Sequence, residues 1–418
     1  MSKIREFVMN EPLFNSHEHQ SEWGFDWKNM DYGAFWGYLP ADVVSSKLPY
    51  EKNKKATGDY KTHLEVWDRI FTTGYGQAIS LGIKHLFDID FSPETANEVS
   101  ERIAAFVANR EDKDIHEELF KTQAGCKWVL ADIGAEPMTT LSSLTSDKVP
   151  DFIRFTMRVG KREMLVLKSN DKIKEVEKWA NKSLNTLEQL ESALEEHFQK
   201  AMKTGKIACF KTAIAYVRDL DFKQVSIEKA SAIYDKIRLG KSVDNYRPLH
   251  DYLLHMQLKW ADAHQIPVQI HTGYLAGNNQ DIRQGDPSKL IPLFIQYPNV
   301  RFYLFHAGWP FSEIMGAIAK QYPNVCLDMC WAWAMAPQQM ERTLDEWLSA
   351  VPNNKIIGFG GDTWSPFATV GYAKQARIGI ANCLNRKIQR GEYSQATAEM
   401  IAKKIMWENG LEMFPSFK

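Results

Sequence analysis

The sequence has no long apolar run, no excess of one charge and no Cys-x-x-Cys pair, and each absence excludes a class of protein. No segment reaches the roughly 18 consecutive apolar residues of a membrane-spanning helix. The N-terminus carries charges on both sides of a short apolar patch, which is not the pattern of a signal peptide. We therefore expect a cytoplasmic protein that does not act at a membrane.

The five cysteines form an odd set, and three of them lie in or beside apolar runs, so we expect reduced core residues rather than disulfides. Lysine and arginine total 51 and aspartate and glutamate 52, so the chain lacks the positive field that attracts nucleic acid. We expect a small-molecule partner. Formation of an oligomer is compatible with the sequence, which carries no signal for or against it.

What is present is the composition of a folded domain, with 44% hydrophobic residues among 418. In the second half, short apolar runs alternate with longer amphipathic stretches, a pattern typical of βα units around a parallel sheet. Three further apolar runs lie upstream. The predicted strands are residues 13–19, 128–133, 152–159, 207–213, 267–271, 301–306, 324–329 and 355–362.

A set of eight βα units predicts a closed (β/α)8 TIM barrel of the α/β class. The alternative is a doubly wound open sheet. That fold normally has a glycine-rich phosphate-binding turn after its first strand, and the sequence has none there. We therefore expect residues 1–418 to form a single barrel domain.

A barrel needs about 250 residues, so the remainder is expected in two insertions. Residues 20–118 are rich in aromatics such as Trp23, Phe25 and Trp36, and they follow the first strand. They would leave from the rim where barrel active sites are built, which predicts a helical cap over the pocket. Residues 172–206 have leucines at helical spacing among charges, which predicts one long solvated helix or a helical pair.

Histidines end several of the predicted strands. His17 and His19 end the first strand, where alternate side chains share a face, so both imidazoles would point into the barrel mouth. His271, His306 and Asp362 end later strands, and the strand ends of a barrel converge on one rim. Such a set suits Zn²⁺ or a similar divalent ion, although each residue alone would also fit as a packed histidine or a capping aspartate.

These motifs resemble the amidohydrolase superfamily, whose barrels carry His-x-His after strand one, His after strands five and six, and Asp after strand eight. The likeness is strongest with the amidohydrolase-2 branch and, within it, with nodulin-type domains. The matching segments run from about residue 206 to residue 364; they are FKTAIAYVRDL, VQIHTGY, FHAGWPFSEIMGAIAKQYPNVCLDM and GGDTW.

The resemblance implies that His17, His19, His271 and Asp362 bind a divalent metal, most simply Zn²⁺, as one ion or two. His306 would bind a second ion or polarise the substrate carbonyl. Asp362 would also act as general base and later as acid, since a divalent ion lowers the pKa of water from about 15.7 to about 7.

Lys211 lies inside a predicted buried strand, where an unpaired ammonium is costly. The resemblance implies one explanation, a carbamylated lysine that bridges two metals. Lys211 could instead remain a cation that binds an anionic substrate group, or it could form a salt bridge with Asp328. We expect it in the active site, with carbamate and cation both open.

Further substrate-binding residues are expected just past the strand ends. Tyr216 and Arg218 follow the strand of Lys211, and the planar guanidinium of Arg218 suits a carboxylate or phosphate, although it could equally be a solvated surface arginine. Trp309 is expected in the pocket wall. Other tryptophans at this level would either line the pocket or pack the barrel top against the cap; they are Trp331, Trp333 and Trp364.

Two local patterns are expected to be structural. Cys326 and Cys330 lie in and just after one strand, and cysteine catalysis would need a histidine that the metal set already uses. Residues 358–361, GFGG, would allow the backbone to approach its neighbours closely rather than hold a phosphate.

The predicted function is that of a metal-dependent hydrolase that cleaves a C–N or ester bond of a small polar substrate. Relatives of this branch use the same ligands to decarboxylate aromatic or unsaturated acids or to isomerise uronic acids, and the sequence does not separate these reactions. The alternative from another class is a non-catalytic barrel that binds a ligand and keeps the metal for structure.

Overall fold

The computed structural model describes residues 2–19, 27–47, 61–132, 144, 149–158 and 166–417. Within them, eight strands form one sheet in the order of the sequence, and every neighbouring pair is parallel. The strands are β1 Leu13–Glu18, β2 Cys126–Asp132, β3 Ile153–Met157, β4 Ile207–Thr212, β5 Val268–Ile270, β6 Phe302–Leu304, β7 Val325–Asp328 and β8 Ile356–Ile357.

Helices lie between the strands and before and after them. In chain order they are α1 Lys3–Asn10, α2 Leu39–Ser45, α3 Lys61–Leu64, α4 Trp67–Ile70, α5 Gly74–Phe87, α6 Ala96–Val107, α7 Asp112–Glu117, α8 Asn170–Ala180, α9 Leu187–Met202, α10 Ile227–Arg238, α11 Arg247–His264, α12 Ile291–Gln296, α13 Ser312–Gln321, α14 Ala332–Met335, α15 Pro337–Ala350, α16 Pro366–Gln389, α17 Gln395–Lys403 and α18 Asn409–Met413. No helix among the described residues is long and apolar enough to cross a membrane.

The two edges of the sheet meet and close the barrel. The backbone N–H of Ser16 in β1 donates to Phe359 O at 3.1 Å, just beyond β8. One step further along, Asp362 N donates to His17 O at 2.8 Å and His19 N donates to Thr363 O at 3.0 Å. The predicted (β/α)8 barrel is therefore confirmed, and the doubly wound alternative is wrong, because that fold would reorder the strands and leave two open edges.

The C-terminal residues close the end of the barrel where the strands begin. The ring of Phe414 stacks on Phe14 at the start of β1, with centroids 5.6 Å apart, and also contacts Tyr303 of β6 at 5.0 Å. A Cβ at Gly410 would lie 2.3 Å from the Phe14 ring, so a side chain there would prevent this contact. This end is a packed apolar floor, which leaves the opposite rim for chemistry.

The described residues between β1 and β2 form helices α2 to α7, as the aromatic-rich segment predicts, although Trp23 and Phe25 lie outside the described residues. Helix α5 crosses α16 where two glycines meet. A Cβ at Gly371 would lie 2.1 Å from Ala78 O, and one at Gly82 would lie 3.1 Å from the Gly371 backbone. The inserted helices therefore pack directly against the helix that follows β8.

Other boundaries differ from the sequence prediction in instructive ways. The charged stretch at 172–206 is a helical pair, α8 and α9, and α9 begins at a capping box in which Thr186 and Gln189 exchange hydrogen bonds. Strand β8 is much shorter than the predicted 355–362, because the glycine-rich residues 358–361 leave the regular ladder to pass close to β1 and β7. Ile133 and Val159, the predicted last residues of the second and third strands, lie outside the described residues.

Candidate metal centre

The site begins at the end of β1, where the strand departs from regular pairing. The register with β2 shifts between Asn15 and Glu18, which is the mark of a bulge. The rings of His17 and His19 lie together in the barrel mouth, with centroids 5.1 Å apart. The bulge also turns Ser16 inward, where its hydroxyl donates to Asp328 Oδ1 at 2.9 Å.

Glu18 lies on the opposite side of β1 from the imidazoles and fixes the turn after β8. Its carboxylate accepts from Asn15 Nδ2 at 2.6 Å, from Thr363 N at 2.8 Å and from Thr369 Oγ1 at 2.9 Å. Burial raises the pKa of Glu18 to about 8, while these donors act in the opposite direction. A Cβ at Gly361 would lie 2.0 Å from Glu18 Oε1, so the glycine is required by close approach.

Asp362 faces His17 of β1 and His19, which directly follows that strand. Its Oδ1 lies 2.9 Å from His19 Nε2 and 3.6 Å from His17 Nε2. Ligand atoms around a tetrahedral zinc ion lie roughly 3.2–3.8 Å apart, since the bonds are about 2.0–2.3 Å long. The three side chains form a group whose ligand-capable atoms are all within 4.8 Å of one another. The 3.6 Å separation falls in this range, whereas the 2.9 Å separation between Asp362 and His19 is a hydrogen-bond distance that would have to lengthen by a few tenths of an ångström around an ion.

A second group shares the same carboxylate. Asp362, His306 and Cys330 also offer ligand atoms within 4.8 Å of one another, and all three are buried. Asp362 Oδ2 lies 3.8 Å from His306 Nε2. His306 and Asp362 both have positive φ, 64° and 56°, although neither is glycine, and such strain costs of order 1–3 kcal/mol at each position. Strained backbone of this kind is commonly found at functional sites.

His271 faces His306 across a gap that a proton or a cation must fill. His271 Nε2 lies 2.8 Å from Tyr274 O and His306 Nδ1 lies 3.0 Å from Cys330 O, so each neutral ring donates its one proton to a carbonyl. The two remaining nitrogens, His271 Nδ1 and His306 Nε2, are 2.9 Å apart and both present lone pairs. Two lone pairs at this distance repel unless something positive lies between them.

Burial and positive neighbours disfavour a proton there. Desolvation by burial, followed by the charge of Lys211, lowers the pKa of His17 and of His271 well below the usual value. The pKa of His306 is lowered in the same way, by burial first and then by His271 and Lys211. Neither ring nitrogen of His17 has a hydrogen-bond partner within the described chain. A buried imidazole without a hydrogen-bond partner, close to two other buried imidazoles of lowered pKa and to a carboxylate, fits a divalent cation.

Lys211 lies in β4 below this cluster, with its Nζ 3.7 Å from the centre of the Phe305 ring. Burial lowers its pKa to about 8. Asp328 does not form the salt bridge considered above: its Oδ1 accepts from Ser16 and from Cys330 N, and no ion pair joins it to Lys211 in the part of the chain that the structure describes. Burial raises the pKa of Asp328 to about 7.

Two residues at the rim were missed in the sequence, Asp132 and Arg158. Asp132 ends β2, with its Oδ2 3.6 Å from His17 Nε2 and 3.9 Å from His19 Nδ1. Arg158 follows β3 and donates from Nε to the same oxygen at 2.7 Å. Burial acts to raise the pKa of Asp132, but the charge of Arg158 and other cations outweighs it and lowers the pKa. Their position at strand ends was the available signal.

The family assignment rests on the sequence of the second half of the chain. The sequence model of the family described as Amidohydrolase matches residues 189–415, which is more than half of the chain. The chain belongs to the amidohydrolase family. This family is typically metal-dependent, and residues 189–415 supply Asp362, His271 and His306 to the site.

Individual relatives are distant. Protein fluG of Emericella nidulans is 28% identical over 174 residues, which is 40% of this chain and 20% of that protein. The matched part thus spans a fifth of that relative's length. A solved uronate isomerase of Thermotoga maritima has a TM-score of 0.79 at 16% identity, over 99% of this chain and 96% of its own. A Lactobacillus casei protein, described provisionally as a metal-dependent hydrolase, has a TM-score of 0.69 at 18% identity, over 99% and 97%. These structural likenesses show the fold.

Of the substrate-binding residues expected in this amidohydrolase, the structure brings Tyr216 to the site but not Arg218. The Tyr216 ring packs edge-on against His271 with centroids 4.7 Å apart, and its hydroxyl accepts from Ala276 N at 2.9 Å. Arg218 is buried in its own loop, where it pairs with Asp251 at 2.5 Å and donates to backbone carbonyls. With its donors used, it is neither a solvated surface arginine nor turned towards the histidines of the candidate site.

The tryptophans divide into two groups. Trp364 stacks on His19 with centroids 6.0 Å apart, and Trp331 lies edge-on to His306 at 5.2 Å. Trp309 contacts Tyr274, which in turn contacts Trp331. These rings line the mouth. Trp333 lies in the core instead: it is fully buried, donates from Nε1 to Gly358 O at 2.8 Å, and fills the space above Gly379 of α16.

Proposed function

We propose that the chain is a metal-dependent hydrolase that cleaves a C–N or ester bond of a small polar substrate. The observation that carries the proposal is the pair of lone pairs at His271 Nδ1 and His306 Nε2, 2.9 Å apart, beside the carboxylate of Asp362. Because each ring donates its other N–H to a carbonyl and burial lowers the pKa of both rings, a cation is favoured over a proton at these two nitrogens. His17, His19 and Asp362 would hold a divalent ion, for which Zn²⁺ suits the nitrogen and oxygen donors. His271, the fourth predicted ligand, lies outside the group that these three form within 4.8 Å and faces His306.

The ion would supply a nucleophile at neutral pH by lowering the pKa of water from about 15.7 to about 7, and it would polarise a carbonyl. The protein's own groups do the rest. Asp362 presents both carboxylate oxygens to the cluster, so one can hold its position while the other takes a proton and returns it to the leaving group. His306 donates its Nδ1 proton to Cys330 O, which leaves Nε2 directed at His271 Nδ1 and at Asp362 Oδ2.

Positive charge near the cluster supports an anionic group on the substrate. We propose that Lys211 binds such a group, with Tyr216 and Trp309 lining the same pocket. Lys211 is 3% exposed and has no carboxylate ion-pair partner among the described residues, so a bound anion would offset the cost of its burial. Arg158, which pairs with Asp132, is a second cationic side chain at the rim.

We also propose that the chain is one barrel domain, residues 1–418, and that residues 20–118 act as a cap over the mouth. Tyr38 supports this role: its ring lies 4.8 Å from Trp364 and 4.5 Å from Trp331, the rings that border the site. Asn278, in the loop after β5, donates to Ala41 O at 3.0 Å. Contacts of this kind would exclude water from a bound substrate.

A second candidate is isomerisation of a uronic acid. Lys211 and Arg158 would suit the substrate carboxylate, and the solved uronate isomerase of Thermotoga maritima is similar over 99% of this chain, the helices between β1 and β2 included. A base would then move a proton between neighbouring carbons. Either Asp362 or His306 could act as this base. The same residues would therefore serve hydrolysis or isomerisation, and the substrate that binds would decide which reaction occurs.

The test is Asp362→Asn, with Asp281→Asn on an exposed loop as the matched control. We expect the first variant to lose bound metal and at least about 100-fold in turnover, as removal of a general base does, while the control keeps both. The assay uses a panel of amides and esters and, separately, uronic acids. Wild-type turnover in Asp362→Asn would contradict the mechanism, and turnover of uronic acids alone would favour the second candidate.

A further inference from the structure

Cys330 lies in the turn that follows β7, and the structure places it where a core cysteine is not expected. The residue is fully buried, yet its sulfur belongs to a group with His306 and Asp362 in which all ligand-capable atoms are within 4.8 Å. An ordinary packed thiol has apolar neighbours. Here the neighbours are an imidazole and a carboxylate, the partners of a thiolate in metal sites.

The backbone around Cys330 holds its sulfur in this position. Asp328 Oδ1 accepts from Cys330 N at 2.8 Å, and Trp331 N donates to Gly360 O at 2.8 Å. Trp331 completes the turn with a φ of 62°. A Cβ at Gly360 would lie 2.7 Å from Cys330 Sγ, so the glycine is what leaves room for the thiol beside the turn after β8.

The carbonyl of Cys330 also orients one of the other ligands. His306 Nδ1 donates to Cys330 O at 3.0 Å, which fixes the tautomer and leaves the lone pair of Nε2 in the cluster. Metal-binding histidines usually donate their second N–H to a carbonyl or carboxylate in this way. Cys330 therefore contributes twice, once through its sulfur and once through its backbone.

Asp362 belongs to both groups of potential ligands. Its Oδ1 faces His17 and His19, and its Oδ2 lies 3.8 Å from His306 Nε2. The two groups of potential ligands share this residue and no other. A carboxylate with one oxygen in each group is the usual geometry of a bridge between neighbouring ions.

We propose that His306, Cys330 and Asp362 hold a second divalent ion of the thiophilic class, such as Zn²⁺, next to the ion held by His17 and His19. The thiol loses its proton to solvent on binding, and the sulfur becomes the anionic ligand of the second ion. His271, with Nδ1 2.9 Å from His306 Nε2, lies at the boundary of this group. The inference deepens the proposed function and shares Asp362 with it.

A thiolate in this place makes a carbamate on Lys211 unnecessary. The second ion would obtain its anionic ligand from β7 rather than from β4, and Lys211 would remain a cation. Soft thiolate ligands favour Zn²⁺ and similar ions over Mg²⁺ or Ca²⁺. The second group should therefore discriminate against hard cations.

The experiment compares wild type, Cys330→Ser and the matched control Cys326→Ser, a neighbouring cysteine that is also buried but belongs to neither group. Each intact protein is stripped of metal and reconstituted with Co²⁺, and the bound metal and the absorption spectrum are measured. We expect wild type and Cys326→Ser to bind about two ions per chain and to show a thiolate-to-cobalt charge-transfer band. Cys330→Ser should lose the band and about half of the metal.

His306→Asn is the second variant, because it keeps the thiol and tests the same group from another strand. It should also weaken the band, whereas circular dichroism reports whether either variant is folded. Wild type without the band, or Cys330→Ser that keeps two ions, would overturn the second ion. One ion in wild type that is lost in Asp362→Asn would leave the proposed function standing, whereas no bound ion in any protein would remove both.

Discussion

Lys211 is either a cation that binds an anionic substrate group or a carbamate that bridges two metals, and one substitution distinguishes the two. Its Nζ lies against Phe305 and not against a carboxylate, so a methionine of similar length should fit in its place. If Lys211 is the cation that receives an anionic substrate group, Lys211→Met should raise KM for anionic substrates by about 10-fold to 100-fold, the typical value of a hydrogen bond to a charged group.

The same variant should leave the metal content unchanged, because the thiolate of Cys330 and the shared Asp362 supply the negative ligands. Metal analysis by mass spectrometry, with and without bicarbonate, checks this expectation. Loss of one ion in Lys211→Met, or occupancy that follows bicarbonate, would instead favour a carbamate on this lysine.

The positions of some residues in the candidate site could be predicted from sequence and those of others could not. His17, His19, His271, His306 and Asp362 end apolar runs, and the closure of a barrel brings such positions together. Cys330 could not be predicted, because its approach to Asp362 depends on the positive φ of Trp331 and on the space above Gly360. The burial of Arg218 against Asp251 also depends on a loop path that no periodic pattern encodes.

At the scale of elements, the turn after β8 depends on its glycines. A Cβ at Gly361 would meet the carboxylate of Glu18, so Gly361→Ala should push Asp362 away from His17 and His19. We expect a loss of about 1–3 kcal/mol in the free energy of unfolding, as for overpacked sites, together with weaker metal binding.

Gly240→Ala is the matched control for that variant. Gly240 has a φ of 63° and no neighbour within 4 Å of an added Cβ, so alanine there adds backbone strain alone. It should cost about 1–2 kcal/mol in stability and leave the metal content unchanged. Titration calorimetry with Zn²⁺ distinguishes the two outcomes, and equal metal affinity in both variants would contradict the role of Gly361.

The helical pair α8 and α9 should carry a pH dependence of its own. His197 of α9 packs against Trp179 of α8 with centroids 4.9 Å apart, and burial lowers its pKa to about 4. Below about pH 6.5 His197 binds a proton in the unfolded chain, whereas in the folded chain it binds one only near pH 4. The contribution of His197 to the free energy of unfolding is therefore fully present above pH 6.5 and is lost as pH falls towards 4.

His197→Phe should remove this component of acid sensitivity. Between pH 7 and pH 5 the wild type should lose about 2 kcal/mol more than the variant, as the linkage relation gives for one histidine. Urea unfolding at the two pH values measures the difference, with His264→Gln at the exposed end of α11 as control. A curve for His197→Phe that follows wild type would show that His197 does not titrate in this way.

For the whole molecule, substitutions at the floor of the barrel should lower stability, whereas substitutions at the opposite rim should lower activity. Phe414 stacks on Phe14 and contacts Tyr303 at the floor, at the opposite end of the strands from the candidate metal centre. Phe414→Ala should cost about 3–5 kcal/mol in the free energy of unfolding and leave kcat/KM of the folded enzyme unchanged. Thermal unfolding and steady-state kinetics check the two halves, and Asp362→Asn should show the opposite pattern.

The architecture as a whole was the part of the molecule most accessible to prediction. Eight apolar runs separated by helical patterns determine a parallel barrel almost without reference to side-chain detail. Strand lengths were less accessible, since β8 has only two residues and the chemistry begins in the irregular segment after it. The path of the helices between β1 and β2 rests on close contacts such as Gly82 against Gly371, which periodicity alone does not reveal.

Trp364 gives the molecule a built-in optical reporter. Among the described tryptophans it is the exposed one, at 50%, and its indole lies over the imidazole of His19. A soluble quencher such as iodide can therefore reach this ring, whereas the buried tryptophans are not accessible to it and keep their fluorescence. Anything that occupies the mouth should shield the indole, so the difference in quenching between wild type and Trp364→Phe would reveal ligands before any turnover is known.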